Sequence, residues 1–417
     1  MVNAQASSNV QKTELANGVR VLTESVPYVK SISVGLWCRT GSRHERADEA
    51  GITHLIEHML FKGTPTRTAK QIAEAIEGRG GSLNAFTDKE ATCYYCRCLA
   101  EDLELAVDVL SDMMRDSLID PEELAREEGV VIEEIKRDLD EPADHVHELH
   151  IQGRWGDHPL GKPVIGTIES VGGFKRENLV GYMKRRYVGS HVLLAVAGNC
   201  DPAQVRSLAE QHLGSLPSGS DDQPLSRPLG KGGENLSPKD VEQVHFCIGG
   251  DGPSLFDKDL YTGVILDNAV GGGMSSRLFQ EIRERRGLAY AIGSYVLSYT
   301  AGGAYTVYGG TSLESWPIVR NLVRKEFDSV LKSGLDEAEL ERTKKNLAGS
   351  IVLALESMSG RMMRMSRNEM NYERDIPIEE TLAKIEAVSN QDVIDLAQRI
   401  LPAESVSVTA IGPFGSA

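Results

Sequence analysis

The chain has 417 residues, of which 41% are hydrophobic and 25% charged, with a formal net charge of −16. This is ordinary globular composition with material for about two to three domains. No apolar run reaches the roughly 18 residues of a membrane span, and the acidity argues against nucleic acid or an anionic membrane as partner while favouring cationic ligands. The opening MVNAQASSNVQKTEL has no apolar core and no Arg-rich amphipathic stretch, so the expectation is a cytoplasmic protein without signal or transit peptide.

Val19–Glu24 follows an Asn17-Gly18 turn signal, and Ser31–Arg39 alternates in the manner of a strand. Residues 51–64, GITHLIEHMLFKGT, then place His54, Glu57 and His58 in an otherwise apolar segment. A buried polar group without a partner costs roughly 2–7 kcal/mol. Either this segment lies at the surface or the fold supplies something that binds the three side chains. Thr68 and Gln71 have capping-box spacing and open a helix that ends near Gly78–Gly81. SLNAFT (82–87) and ATCYYCRCL (91–99) read as paired strands, and Glu101–Ser117 as an amphipathic helix. In the second of these strands Cys96 and Cys98 share a face while Cys93 points to the other. The tidy four-ligand zinc pattern is absent, and six cysteines in so long a chain are no disulfide framework. Reduced structural thiols account for them best.

Asp120-Pro121-Glu122-Glu123 is a helix start with an N-cap, a proline at N1 and an acid at N3. The helix continues as LAREEGVVIEEIKRDL, with Leu124, Val131 and Ile135 in one apolar stripe. Glu127 and Glu134 lie two turns apart along the edge of that stripe. Half-buried carboxylates there are awkward unless a cation neutralises them. Further on, Asp144 and Glu148 are spaced to share a helix face, with His145, His147 and His150 between and beyond them. No third ligand stands at helical spacing from these histidines, which favours ordinary structural roles.

Residues 215–240, rich in Ser, Pro, Gly and charge, read as a linker between a first half, 1–214, and a second, 241–417. The halves match weakly but in common order. LLAVAGN (193–199) pairs with VSVTAIGP (406–413), SISVGLW (31–37) with VEQVHFCIGG (241–250), and DPEELARE (120–127) with LDEAELERT (335–343), at a shared offset of about 210–216 residues. Duplication explains this best, and the expected class is α+β: two similar domains, each a mainly antiparallel sheet packed with helices. In the second copy, Val264, Asp267 and Asn268 stand opposite His54, Glu57 and His58, and Thr343 and Ser350 opposite Glu127 and Glu134. A polar trio that the sister half does without looks like chemistry added to one half.

On a helix, His54 and His58 are i and i+4 and can share one ion, with Glu57 flanking the pair. Imidazole nitrogens suit zinc, whose catalytic sites use three protein ligands. A nearby unbound carboxylate can take a proton from water. A surface helix with casual His and Glu residues is the competing account.

HLIEH is the inverted zinc motif of the inverzincins, and GITHLIEHMLFKGT closely resembles the mitochondrial processing peptidase branch of the pitrilysin-like metallopeptidases, a likeness that runs over nearly the whole chain. The resemblance implies a third ligand in a downstream helix about 76 residues past the second histidine, the position of Glu134 (134 − 58). It thus implies one Zn2+ per chain held by His54, His58 and Glu134, with Glu57 as general base and Glu127 as a supporting acid seven residues before the ligand. It further implies that Asn84 and Ala85 contact the peptide backbone, in keeping with β-augmentation. Arg283 and Tyr290, in RLFQEIRERRGLAYAIGSY (277–295), match a pair that donates to the developing oxyanion across a homodimer enclosing a chamber. By the same likeness VGGGMSSRL (270–278), with Gly271, Gly272 and Gly273, is a substrate-recognition loop, shorter here than in its relatives. Asp144 and Glu148 match acids that hold an arginine upstream of the cut.

The expected activity is therefore a zinc endopeptidase acting on extended, basic, presequence-like peptides. A general oligopeptidase without basic preference is the rival within the enzymes. A non-catalytic scaffold of the kind found in the respiratory bc1 core is the rival outside them, and the intact HLIEH and Glu134 argue against it.

Overall fold

The computed structural model describes residues 9–220 and 224–415. The strands are β1 (Val10–Glu14), β2 (Arg20–Ser25), β3 (Ser31–Cys38), β4 (Ser82–Thr87), β5 (Thr92–Leu99), β6 (Val192–Gly198), β7 (Gly233–Pro238), β8 (Gln243–Gly252), β9 (Ala289–Ser298), β10 (Gly303–Ser312) and β11 (Ser407–Gly412). The helices of the first half are α1 (Ile52–Leu60), α2 (Ala69–Glu77), α3 (Leu103–Asp116), α4 (Pro121–Asp140), α5 (Pro142–Trp155), α6 (Ile168–Val171), α7 (Arg176–Arg186) and α8 (Pro202–Leu213). Those of the second are α9 (Leu260–Val270), α10 (Trp316–Ser333), α11 (Glu337–Ala354), α12 (Met358–Tyr372), α13 (Ile378–Glu386) and α14 (Asn390–Ile400). Among the described residues no helix is long and apolar enough to cross a membrane.

Two sheets organise the chain, in strand orders β1-β2-β6-β3-β5-β4 and β7-β11-β8-β10-β9. The parallel pairs are β2–β6 in the first and β7–β11 in the second; the other pairings are antiparallel. Superposing the orders makes β2, β6, β3, β5 and β4 equivalent to β7, β11, β8, β10 and β9, with β1 as an addition. The repeat expected from the sequence is thus a repeat of topology, with α1 answering to α9 and α4 to α11.

The halves do not divide the chain as cleanly as the linear boundaries 1–214, 215–240 and 241–417 suggest. One compact unit comprises the described residues of Met1–Ile135, Pro163–Gln223 and Val352–Pro377, and the other those of Lys136–Lys162, Pro224–Ile351 and Ile378–Ala417. The chain changes unit within α4 and again within α11. Helix α12 accordingly packs on β3 and β6 of the first sheet, and α5 on β11 and β8 of the second. Nor is 215–240 simply an exposed linker: Leu216 joins the first core and β7 is a sheet strand, while residues 221–223 lie outside the described residues.

This exchange explains the strand sequences. One face of the first sheet, with Ile32, Val34, Leu36, Cys96 and Cys98, packs on α1, α2, α3, α7 and α8. The other, with Leu22, Trp37, Cys93 and Leu193, packs on Met362, Met365 and Met370 of α12. Both faces are covered, so β3 and β6 are nearly continuous buried runs instead of half-exposed alternating ones. A Cβ on Gly35 would come within 2.4 Å of Met362 Sδ, so glycine here lets the helix approach the sheet. In the second unit α5 buries Arg154 against the sheet, where it pairs with Asp251 at 2.8 Å and donates to the Gly249 carbonyl at 3.1 Å.

Candidate metal centre

Helix α1 carries the polar trio, and its start is fixed from two directions. Gly51 precedes it with φ 88°, a left-handed conformation, and a Cβ there would lie 2.6 Å from the Ile165 carbonyl oxygen. Only glycine fits. The buried Glu45 carboxyl accepts from Gly51 N–H and Thr53 N–H, both at 2.9 Å, satisfying two helix-start donors. Burial pushes this carboxyl up to about 7, the two backbone donors opposing the shift. Ile52, Leu55, Ile56, Met59 and Leu60 anchor the inner face in the core, which leaves His54, Glu57 and His58 half-buried on the outer one.

Helix α4 supplies the facing carboxylates. Asp120 caps it, accepting from Glu122 N–H at 2.9 Å and Glu123 N–H at 3.1 Å. Leu124, Val131 and Ile135 bury its stripe. Glu134 Oε2 lies 4.0 Å from His54 Nε2 and 3.8 Å from His58 Nε2. The donor atoms of His54, His58 and Glu134 fall within 4.8 Å of one another, the one such grouping among the described residues. Tetrahedral ligand bonds of about 2 Å put donor atoms roughly 3.3 Å apart, so the two nitrogen–carboxylate separations of 4.0 and 3.8 Å need only a small closure to hold an ion. Two imidazoles and a carboxylate on a half-exposed surface, side-chain exposures 14%, 23% and 30%, fit a zinc ion with an open position. Glu127 does something different: its Oε2 meets His58 Nδ1 at 3.1 Å and its Oε1 meets Lys62 Nζ at 2.6 Å.

Glu57 is not part of this grouping of donors. Its Oε2 accepts from Thr87 Oγ1 at 2.5 Å, which ties α1 to the last residue of β4. Burial raises the Glu57 carboxyl, the Thr87 hydrogen bond and His58 pull it down, and Glu134 pushes it up again. Sequence reasoning missed Thr87, Lys62 and Glu45. Glu45 acts on residues six and eight positions further on, whereas Thr87 and Lys62 reach Glu57 and Glu127, far away in the chain.

Asn84 and Ala85 lie on β4, the edge strand of the first sheet, where Asn84 is exposed and its side chain accepts from Ala85 N–H at 2.8 Å. In the second unit the Arg283 guanidinium sits 5.0 Å from the Tyr290 ring centre and 4.7 Å from that of Phe279, with Tyr290 81% exposed. Arg285 and Arg286 pair with Glu281 on the surface. Gly272 and Gly273 are exposed just after α9, whereas Gly271 is buried against Ser294, whose Oγ donates to Asp267 at 2.5 Å. Asp144 and Glu148 are exposed on one face of α5. His147 and His150 do have structural partners, Tyr295 Oη at 2.9 Å and Thr409 Oγ1 at 3.1 Å, and burial lowers both, His150 to about 3. All six cysteines are buried and none forms a disulfide.

A repeated α+β unit with an inverted zinc motif on one copy defines a two-domain zinc-dependent peptidase. Residues 20–168 match the model of the insulinase family, Peptidase family M16, and residues 173–347 that of the Peptidase M16 inactive domain. The uncharacterized zinc protease YmxG of Bacillus subtilis is 37% identical over 98% of this chain and 99% of its own length. A zinc protease of Mycobacterium tuberculosis is 40% identical over 97% of this chain and 94% of its own. The chain belongs to the M16 peptidase family. Two solved structures share the fold: the peptidase M16 inactive domain from Pseudomonas fluorescens (TM-score 0.90, 21% identity, 97% of this chain and 98% of that one) and a protease from Helicobacter pylori (TM-score 0.89, 20% identity, 97% and 99%).

Proposed function

We propose that the chain is an endopeptidase for extended, arginine-containing peptides, with His54, His58 and Glu134 holding the zinc and Glu57 handling the proton. The observation that carries this is the convergence of Glu134 on both Nε2 atoms, at 4.0 and 3.8 Å, while Glu57, outside that grouping, accepts from Thr87. Bound there, zinc polarises a carbonyl and acidifies water. The chain's own groups do the rest. Glu57, raised by burial, takes a proton from the attacking water and returns it to the leaving amine. Strand β4, at the sheet edge with Asn84 exposed, receives the substrate as an added strand, which orients the scissile bond. Asp144 and Glu148 offer two carboxylates to a substrate guanidinium. In a homodimer, Arg283 and Tyr290 of one copy would serve the oxyanion formed in the other, with the exposed glycines 272 and 273 touching substrate.

The test uses zinc-loaded protein with two sets of unfolded peptides, arginine-containing and neutral. The arginine set should be cleaved at least about tenfold faster, and Asp144→Asn with Glu148→Gln should erase most of that difference. Glu57→Gln should lower turnover of both sets by about 10²–10⁴-fold with zinc content unchanged. Equal turnover of the two sets contradicts the preference; full activity of Glu57→Gln contradicts the base.

A further inference from the structure

Two glutamates two turns apart on one face of α4 are chemically equal candidates for a cation, yet they do different things. Glu134 is 30% exposed and faces the Nε2 atoms of both histidines. Glu127 is 8% exposed and has each oxygen engaged, Oε1 with Lys62 Nζ at 2.6 Å and Oε2 with His58 Nδ1 at 3.1 Å. The lysine is the asymmetric element. It stands just past the end of α1, its N–H bonded to the Met59 carbonyl at 3.1 Å, and its side chain reaches across to α4.

We propose that Lys62 is a positioning residue for the metal centre. It holds Glu127 as the orienting partner of His58 and so reserves ligation for Glu134. This rests on His54, His58 and Glu134 being the ligand set. Two physical effects combine. The ammonium compensates a carboxylate that is only 8% exposed, where an unpaired charge is costly. It also fixes the carboxylate plane, so that His58 donates Nδ1–H to Glu127 and presents the Nε2 lone pair to the ion; such outer partners set ring tautomer and metal affinity. Without the lysine, Glu127 is free to swing from Nδ1, and the imidazole loses its fixed tautomer.

The full chain is stripped of metal and titrated with Zn2+ against a chromophoric chelator, and the His58 ring nitrogens are followed by 15N NMR in the apo protein. Lys62→Ala should weaken zinc binding about 10–100-fold and replace the Nδ1–H signal of His58 by a tautomer mixture. Lys62→Arg should stay within about threefold of wild type. Adding Glu127→Gln to Lys62→Ala should cost little more, because both remove one device. Lys62 is 30% exposed, so its loss empties no core; should the alanine variant fail to fold, Lys62→Gln carries the same readouts. Wild-type zinc affinity with an intact Nδ1–H signal in Lys62→Ala, or fully additive losses in the double variant, overturns the proposal. Failure of the underlying ligand set has a different signature: His54→Ala would then bind zinc as tightly as wild type.

Discussion

Glu45 shows how a single buried carboxylate can serve a site it never touches. Its two oxygens hold the first turn of α1, and burial raises its pKa from the ordinary 4.5 to about 7. A raised acid binds its proton more tightly in the folded state than in the unfolded one. Its favourable contribution is therefore complete below about pH 4.5 and is lost as pH rises through about 7. In metal-free protein, the melting temperature of wild type relative to Glu45→Gln should fall between pH 4.5 and 7.5. A constant difference across that range would show that Glu45 titrates normally. At this scale the sequence was legible where spacing carried the information. The i, i+4 histidines and the glutamates seven apart were readable; the partners Glu45, Thr87 and Lys62 were not, because strand order and loop path decide which residue reaches a given atom.

At the scale of elements, α1 is short and its outer face polar, so its placement depends on its entry. Gly51 has φ 88° and would drive a Cβ to 2.6 Å from a backbone oxygen, whereas Gly80, with φ 80°, has nothing within 4 Å of that position. Both substitutions to alanine pay the left-handed strain of about 1–2 kcal/mol. Gly51→Ala adds a backbone clash and should destabilise by roughly 2–4 kcal/mol in denaturant titration. Gly80→Ala should cost only the strain, and equal losses would contradict the account. Most elements were readable in advance. Thr68 does cap α2 with Gln71 as a capping box, and SLNAFT pairs antiparallel with the cysteine strand. The cysteine faces also fell as alternation predicts, Cys96 and Cys98 in one core and Cys93 in the other. Ser31–Arg39 read as a strand, but its burial on both faces was not legible, because a helix from far along the chain covers the second face.

Across the whole molecule, the duplication explains both the symmetry and its breaking. Apart from the added β1 the sheet orders match, yet only one copy pairs histidines on α1 with glutamates on α4; the other sets Val264, Asp267 and Asn268 on α9. The reciprocal loan of α12 and α5 was invisible in the sequence, since a helix records an apolar stripe but not which sheet receives it. The division of labour within the first unit is the central claim: three side chains on one dication and a fourth, the Glu57 carboxylate, kept off it. A zinc-edge anomalous difference map of the zinc-loaded protein tests it most directly. The account predicts one peak bonded to His54 Nε2, His58 Nε2 and Glu134, with Glu57 outside bonding distance. A peak ligated by Glu57 or Glu127 in place of Glu134, or no peak between α1 and α4, would contradict it.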